Sequence, residues 1–215
     1  MSMDIKWFGH SCFQITDSIG RTVVTDPPDE SVGYTLPPIR ADIVLISHDH
    51  FDHNNADAVL GSPIVIKHPG IYKAAGIEVK GVGTYHDDAG GKLRGTNTVF
   101  CFTMDDIRVC HLGDLGHVLN DNDARAIGDV DILLIPVGGT FTIDARGALA
   151  VIDKLKPNLV IPMHYRTPAL AFDLDPVDKF IKAARGRKVL GPEKLLHISR
   201  EDLDQQKIVL LEYVS

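Results

Sequence analysis

The sequence predicts an α+β fold: two β-sheets face to face with helices outside, a four-layer αββα sandwich. Three observations carry this. Short apolar runs recur along the chain, each ends directly in a loop holding histidine, aspartate or paired glycine, and helical stretches are interspersed among them.

Taken in order, Ile5 to Phe8, Cys12 to Thr16 and Thr22 to Thr25 form an opening antiparallel meander, with Gly9-His10 and Asp17-Ser18-Ile19-Gly20 as its turns. Ile43-Val44-Leu45-Ile46 is apolar throughout and too short for a helix, which suits a buried strand. Asn97 to Thr103 and Ile107 to Leu112 pair around a Met104-Asp105-Asp106 turn, and a weak helix covers Asp121 to Ile127. Ile132-Leu133-Leu134-Ile135 and Leu159-Val160-Ile161 are further buried strands. Between them Asp144 to Leu155 reads as a helix, with Ala148, Leu149, Ile152 and Leu155 inward and Pro157 preventing continuation. At Asp175-Pro176 an N-cap and an N1 proline precede a helix whose apolar face is Val177, Phe180, Ile181 and Ala184.

A chain of 215 residues, 44% of them apolar, buries about 70% of its unfolded surface. Without repeats or low-complexity tracts, residues 1–215 are expected to form one domain. With 22 basic against 29 acidic side chains, a net charge of −7 disfavours binding along a nucleic-acid duplex and leaves a small anionic substrate open. No apolar run approaches the ~18 residues of a membrane span, and Met1 to Phe13 lacks an export pattern. A cytoplasmic location without membrane insertion is expected. Cys12, Cys101 and Cys110 form no Cys-x-x-Cys pair and read as buried, reduced thiols.

The chemistry lies in His48-Asp49-His50-Phe51-Asp52-His53, directly after a buried strand. In extended backbone His48 and His50 point to the same side, while Asp52 and His53 turn past them, so two adjacent cations are within reach. Each cation needs donors from elsewhere, because hydrolytic sites combine three or more N/O ligands with an open position. The candidates are His86 in Tyr85-His86-Asp87-Asp88, Asp114 in His111-Leu112-Gly113-Asp114, and His164 in Ile161-Pro162-Met163-His164-Tyr165.

The order His-x-His-x-Asp-His, His, Gly-Asp, His resembles the metallo-β-lactamase superfamily of hydrolases. The resemblance runs from Trp7-Phe8-Gly9-His10-Ser11 to His164-Tyr165. Asp26-Pro27, Arg94-Gly95-Thr96-Asn97-Thr98, Gly113-Asp114 and Ile161 to Tyr165 are most similar to the branch of ascorbate-6-phosphate lactonase and N-acyl phosphatidylethanolamine phospholipase D. It implies that His48, His50 and His86 hold one metal, that Asp52, His53 and His164 hold a second, and that Asp114 bridges them. Two divalent ions per chain are implied, zinc first, with manganese, iron or nickel equally suited to an imidazole and carboxylate donor set. The implied activity is hydrolysis of a small ester, lactone or phosphodiester by a metal-bridging hydroxide that Asp52 helps orient. The long insertion of the RNA-processing nucleases and the flexible arm of the transfer-RNA maturase are both missing, which again disfavours nucleic acid. Two alternatives stand beside this reading: a mononuclear-iron oxygenase of a thiol-derived substrate, and a non-catalytic metal-binding module.

His10, His117 and Arg94 are expected beside the reacting groups as substrate or supporting contacts, and Arg166 lies near the same loops. His111 reads as a packing residue, and His68 and His197 as ordinary polar residues. Gly138-Gly139-Thr140 mostly serves a turn. Gly81-Val82-Gly83 lacks the third glycine of a dinucleotide fingerprint, and Asp173-Leu174-Asp175-Pro176 lacks the glycine and terminal glutamate of a calcium loop.

Overall fold

Alternation of apolar and polar residues makes Ser2–Trp7 (β1) a strand with one buried face, formed by Met3, Ile5 and Trp7. The computed structural model describes residues 1–214. After β1 come Phe13–Thr16 (β2), Thr22–Thr25 (β3), Ile39–Arg40 (β4), Ile43–Leu45 (β5), Val59–Leu60 (β6), Ile64–Ile66 (β7), Gly70–Ala74 (β8), Ile77–Tyr85 (β9), Thr96–Met104 (β10) and Ile107–His111 (β11). The second half holds Asp121–Ile127 (α1), Ile132–Pro136 (β12), Ala145–Leu155 (α2), Leu159–Met163 (β13), Val177–Ala183 (α3), Lys188–Glu193 (β14), Leu196–Ser199 (β15) and Lys207–Leu211 (β16).

The strands form a six-stranded sheet in the order β15-β1-β2-β3-β5-β7 and an eight-stranded sheet in the order β14-β16-β13-β12-β11-β10-β9-β8. Together with the helices they form the expected α+β sandwich. One core packs the sheets and helices together, with Trp7, Phe13, Phe100 and Phe180 among its largest fully buried side chains. A second cluster, including Val24, Val44, Ile46, Ile39 and Val59, covers the far face of the six-stranded sheet. Val23 and Val24, like Val44 and Leu45, therefore bury opposite faces, which is why these strands read as continuous apolar runs. That far face carries the β4-β6 pair and two single 3-10 turns, Glu30–Val32 and Ala56–Ala58, rather than long helices.

Strand direction places the functional loops. β3 and β5 are parallel, and β1 reaches β3 through two antiparallel steps, so β1, β3 and β5 all end at the same edge. In the other sheet β11, β12 and β13 are parallel, and β9 reaches β11 through two antiparallel steps. Backbone bonds join the two edges: His164 N–H donates to the His10 carbonyl at 3.1 Å, and Thr98 N–H to the Ser47 carbonyl at 2.8 Å. The residues after β1, β3, β5, β9, β11 and β13 thus converge, as active-site loops do at the carboxyl ends of parallel strands.

Some sequence expectations are corrected. Pro176 is the N-cap of α3, not its first residue, with extended backbone at φ −70° and ψ 153°. Asp175 instead ties into the site loops, donating its N–H to the Gly138 carbonyl at 2.8 Å and accepting from Arg166 N–H at 3.0 Å. Val151 joins the inward face of α2, while Leu149 is only partly buried. Cys101 is half-exposed rather than buried, facing Cys110 across β10 and β11 with 3.6 Å between sulfurs; all three thiols are free.

Candidate metal centre

Residues 47–50 are bends and 51–53 a turn, not the extended backbone expected of His48 and His50. Their rings nonetheless converge, with centroids 4.6 Å apart, and His86 stands 4.8 Å from His48 and 5.1 Å from His50. Donor atoms of His48, His50 and His86 lie within 4.8 Å of one another, and so do those of His10, Asp52, His53 and His164. Asp114 stands between the two groups. Its Oδ2 is 3.2 Å from His86 Nε2, 3.2 Å from His164 Nε2 and 3.9 Å from His48 Nε2, and its Oδ1 is 3.3 Å from His53 Nε2. All seven residues expected as ligands are brought together.

Four strand ends supply them: His48, His50, Asp52 and His53 follow β5, His86 follows β9, Asp114 follows β11 and His164 follows β13. Asp26, directly after β3, is fully buried and accepts from Ser47 N–H at 2.7 Å, Ser47 Oγ–H at 2.7 Å and His53 Nδ1–H at 3.0 Å. That leaves His53 Nε2 aimed at the centre, the tautomer a metal ligand needs. Asn97 Oδ1 accepts from Asp114 N–H at 2.9 Å, while its amide donates to Thr84 Oγ1 and to the Leu112 carbonyl. Gly113, at φ +55°, passes so close to Asn97 Oδ1 and Ser47 that no Cβ fits there. His10, Asp26 and His164 also sit in the left-handed region, at φ between 38° and 51°, a strain that such sites tolerate where the surroundings fix it.

The electrostatics favour neutral imidazoles at His48 and His10, ionised carboxylates, and a protonated ring at His53. Burial, then the field of His53, brings His48 down to about 3, and burial, then His164, brings His10 down to about 4. Burial works against ionisation of Asp114, but His164 and His53 overcome it and hold its carboxyl well below the usual range. Asp52 is lowered as well: burial opposes this, and the hydrogen bond from His10 at 3.1 Å together with the nearby His53 outweighs it. For His53 burial is again opposed, here by the carboxylates of Asp114 and Asp26, and its pKa rises well above the ordinary imidazole value. A proton and a cation compete for that ring.

The donor set fits a metal. His48 Nε2, His53 Nε2 and Asp114 Oδ1 are buried without a hydrogen-bond partner among the described residues. Each such group costs about 1–3 kcal/mol if left unsatisfied. The groups of potential ligands among the described residues contain histidine and aspartate and no cysteine, so the set suits a borderline or hard divalent ion. His50 is exposed, which keeps one side of the centre open to solvent.

The other expected residues divide. His10 belongs to the cluster. Arg94 lines a cavity of about 520 Å³ that opens on His48 and His50. His117 does not reach the donors: its Nε2 accepts from Tyr85 N–H at 3.4 Å, and its Nδ1 lies 3.1 Å from the Val118 carbonyl, so it braces the loop before His86. Arg166 is exposed and pairs with Asp173 at 3.5 Å. His111 is a packing residue as expected, bonded to the Ser11 carbonyl at 3.1 Å and accepting from Gly113 N–H. Sequence reasoning passed over Asp26, Ser47 and Asn97 as supports, although Asp26 and Asn97 lie in segments the family resemblance uses. It also dismissed His68, which lines the cavity together with Lys67.

Residues 4–164 match the model of the Beta-lactamase superfamily domain. The chain is similar to UPF0173 metal-dependent hydrolases. That of Thermoplasma volcanium is 32% identical over 229 aligned positions, covering 89% of this chain and 97% of the relative. That of Methanoregula boonei is 31% identical over 193 positions, covering 77% and 83%. A crystal structure from Thermotoga maritima, described as a candidate Zn-dependent hydrolase of the metallo-beta-lactamase superfamily, is 42% identical with a TM-score of 0.81, covering 98% of each chain.

Proposed function

Because the chain belongs to the metallo-β-lactamase superfamily and is a metal-dependent hydrolase, we propose that it works with two divalent cations on a small ester, lactone or phosphodiester. One observation carries this: two groups of imidazole and carboxylate donors that share the Asp114 carboxylate. His48, His50 and His86 would hold one cation and Asp52, His53 and His164 the other, with Asp114 between them. Zinc is the first choice, and manganese, iron or nickel suit the same donors. When bound, such ions supply Lewis-acid polarisation of the scissile group and lower the pKa of a water from 15.7 to about 7.

The chain's own residues do the rest. Asp52 Oδ2 is engaged by His10 and stands 3.5 Å from His53 Nε2, which leaves Oδ1 to accept a hydrogen bond from the attacking water and orient it. His10, buried and neutral at pH 7, holds Asp52 in that orientation. The segments around Asp26-Pro27, Arg94 to Thr98 and Ile161 to Tyr165 favour a lactonase-like branch. One domain over residues 1–215, in the cytoplasm, completes the reading. No helix among the described residues is long and apolar enough to cross a membrane. The iron-oxygenase and non-catalytic alternatives are not favoured, since the relatives are named as hydrolases.

Elemental analysis of unsupplemented protein tests the proposal together with a screen of lactones, phosphodiesters and thioesters. Two divalent ions per chain and turnover of one substrate class are expected, both lost in Asp114→Ala while the fold persists. A single iron per chain with no hydrolysis would overturn it.

A further inference from the structure

The cavity beside the imidazoles carries a charge opposite to that of the chain. His48, Asp49 and His50 bound one side, and Lys67, His68 and Arg94 bound the others; its volume of about 520 Å³ is that of a small-molecule site. The Arg94 guanidinium makes one hydrogen bond, from Nη2 to the Thr140 carbonyl at 3.3 Å, lies 5.6 Å from the Phe141 ring centroid, and has no carboxylate partner among the described residues. A guanidinium has five N–H donors, so most of them are free. Lys67 faces Asp49 at 3.6 Å, but the side chains are 39% and 76% exposed, so solvent screens the pair and Lys67 remains available. Lys67 and Arg94 against the single carboxylate of Asp49 leave the lining net cationic in a chain of net charge −7.

Arg94 is also fixed relative to the centre. The Asp87 carboxylate accepts from the backbone N–H groups of Ala89, Gly91, Leu93 and Arg94 at 2.8–2.9 Å. His86 immediately precedes Asp87, and its N–H donates to the Gly95 carbonyl at 3.1 Å. One tightly bonded loop therefore carries both His86, whose ring joins the centre, and Arg94, which lines the cavity. Such pre-organisation lowers the cost of binding a ligand across both.

We propose that Arg94, supported by Lys67, determines specificity by binding a carboxylate or phosphate that the substrate carries away from its scissile bond. The planar fork of arginine matches either anion with two parallel hydrogen bonds, and Phe141 offers the guanidinium a cation–π contact. The substrate would be a small anionic ester, lactone or phosphodiester, and this identification rests on the hydrolytic reading of the centre.

Titration calorimetry of the metal-loaded protein with glutarate, and separately with inorganic phosphate, tests the site without turnover. Arg94→Ala should weaken at least one anion by on the order of tenfold to a hundredfold, with Arg94→Lys between the two. The anion that loses more identifies the class. Melting temperature and metal content are compared in parallel, since a merely structural role would move these instead. Should Arg94→Ala not fold, Arg94→Lys and Lys67→Ala decide the same question. In a second measurement, the kcat/KM ratio of mono-para-nitrophenyl glutarate to para-nitrophenyl acetate should fall in Arg94→Ala, chiefly through KM. Equal anion affinity in wild type and Arg94→Ala, or no binding of either anion by the wild type, would overturn the proposal. Arg94-dependent binding with neither ester hydrolysed would uphold the anion site and remove the hydrolytic reading alone.

Discussion

Gly116 is where the loop after β11 meets the loop that carries His86. Its N–H donates to the Tyr85 carbonyl at 2.9 Å, and its backbone does not require a left-handed conformation, so alanine is resisted by space alone. A Cβ there would stand 2.5 Å from the His86 carbonyl oxygen, 0.9 Å short of the 3.4 Å at which ordinary contact begins, and nearer still to Asp87 N and the His86 carbonyl carbon. These are backbone atoms and cannot rotate away. In Gly116→Ala the two loops must therefore part by about 1 Å, several times the ~0.2 Å tolerance of a metal–ligand distance. The expected cost is about 1–3 kcal/mol of stability, by the overpacking rule. At about 2–4 °C per kcal/mol for a chain of this size, the melting temperature falls by roughly 2–12 °C. Because His86 moves with its backbone, the cation it helps hold should be lost preferentially, with affinity down by about tenfold to a hundredfold. Chelator competition with elemental analysis, alongside thermal unfolding, checks both numbers. A folded Gly116→Ala protein that keeps its full metal complement at wild-type affinity would refute the reasoning, and with it the placement of His86 as a ligand by close backbone approach.

Asp26→Asn removes the anion that fixes the His53 tautomer and should weaken metal binding by about tenfold to a hundredfold, read by chelator competition, while the sheet survives. Chelating the metals should lower the melting temperature: at free metal 100-fold above Kd each site contributes about 2.7 kcal/mol, or roughly 5–11 °C, and an unchanged calorimetric scan would contradict metal binding to the folded chain. Far from the centre, Asp131 accepts from Arg108 and Arg200; burial pushes its carboxyl up, the arginines outweigh it, and its pKa falls to about 2. A depressed folded-state value means that its contribution is complete above the unfolded pKa of about 3.9 and is lost as pH falls from about 4 to 2. Denaturant titrations should show that Asp131→Asn costs about 1–3 kcal/mol at neutral pH and flattens the dependence of stability on pH across that window.

The strands that end at the centre were legible because their runs are apolar and a histidine or aspartate follows within three residues: β5 before His48, β11 before Asp114, β13 before His164. Edge strands were not. In β7 the side chains of Ile64 and Val65 are exposed, and β14 is exposed along nearly its whole length, so neither carries the alternation that marks a half-buried strand. The α3 cap was misread because Asp175 lies one residue early and is engaged by the Gly138 and Arg166 backbones and by Lys179 at 2.5 Å, contacts no local pattern encodes. Asp26 has the same character. Its partners Ser47 and His53 lie 21 and 27 positions away, and only the parallel pairing of β3 with β5 brings them together. His68 was set aside for want of a motif, and its place on the cavity wall follows from the short β7–β8 connection.

Charge accounting explains why two cations suit this centre better than one. Asp26 and Asp114 are almost completely buried and the Asp52 side chain is 14% exposed, so three carboxylates share one largely desolvated region with imidazoles that bind metals in neutral form. Buried charge of one sign is costly unless it is paired. A single divalent ion would leave an excess negative charge in that region, which repels anions and works against ionising a water. Two leave an excess positive charge, which favours both an ionised water and an anionic substrate. The same sign recurs on the cavity wall at Arg94 and Lys67, so on the proposed reading a two-cation centre and its approach would favour the same anionic class of substrate.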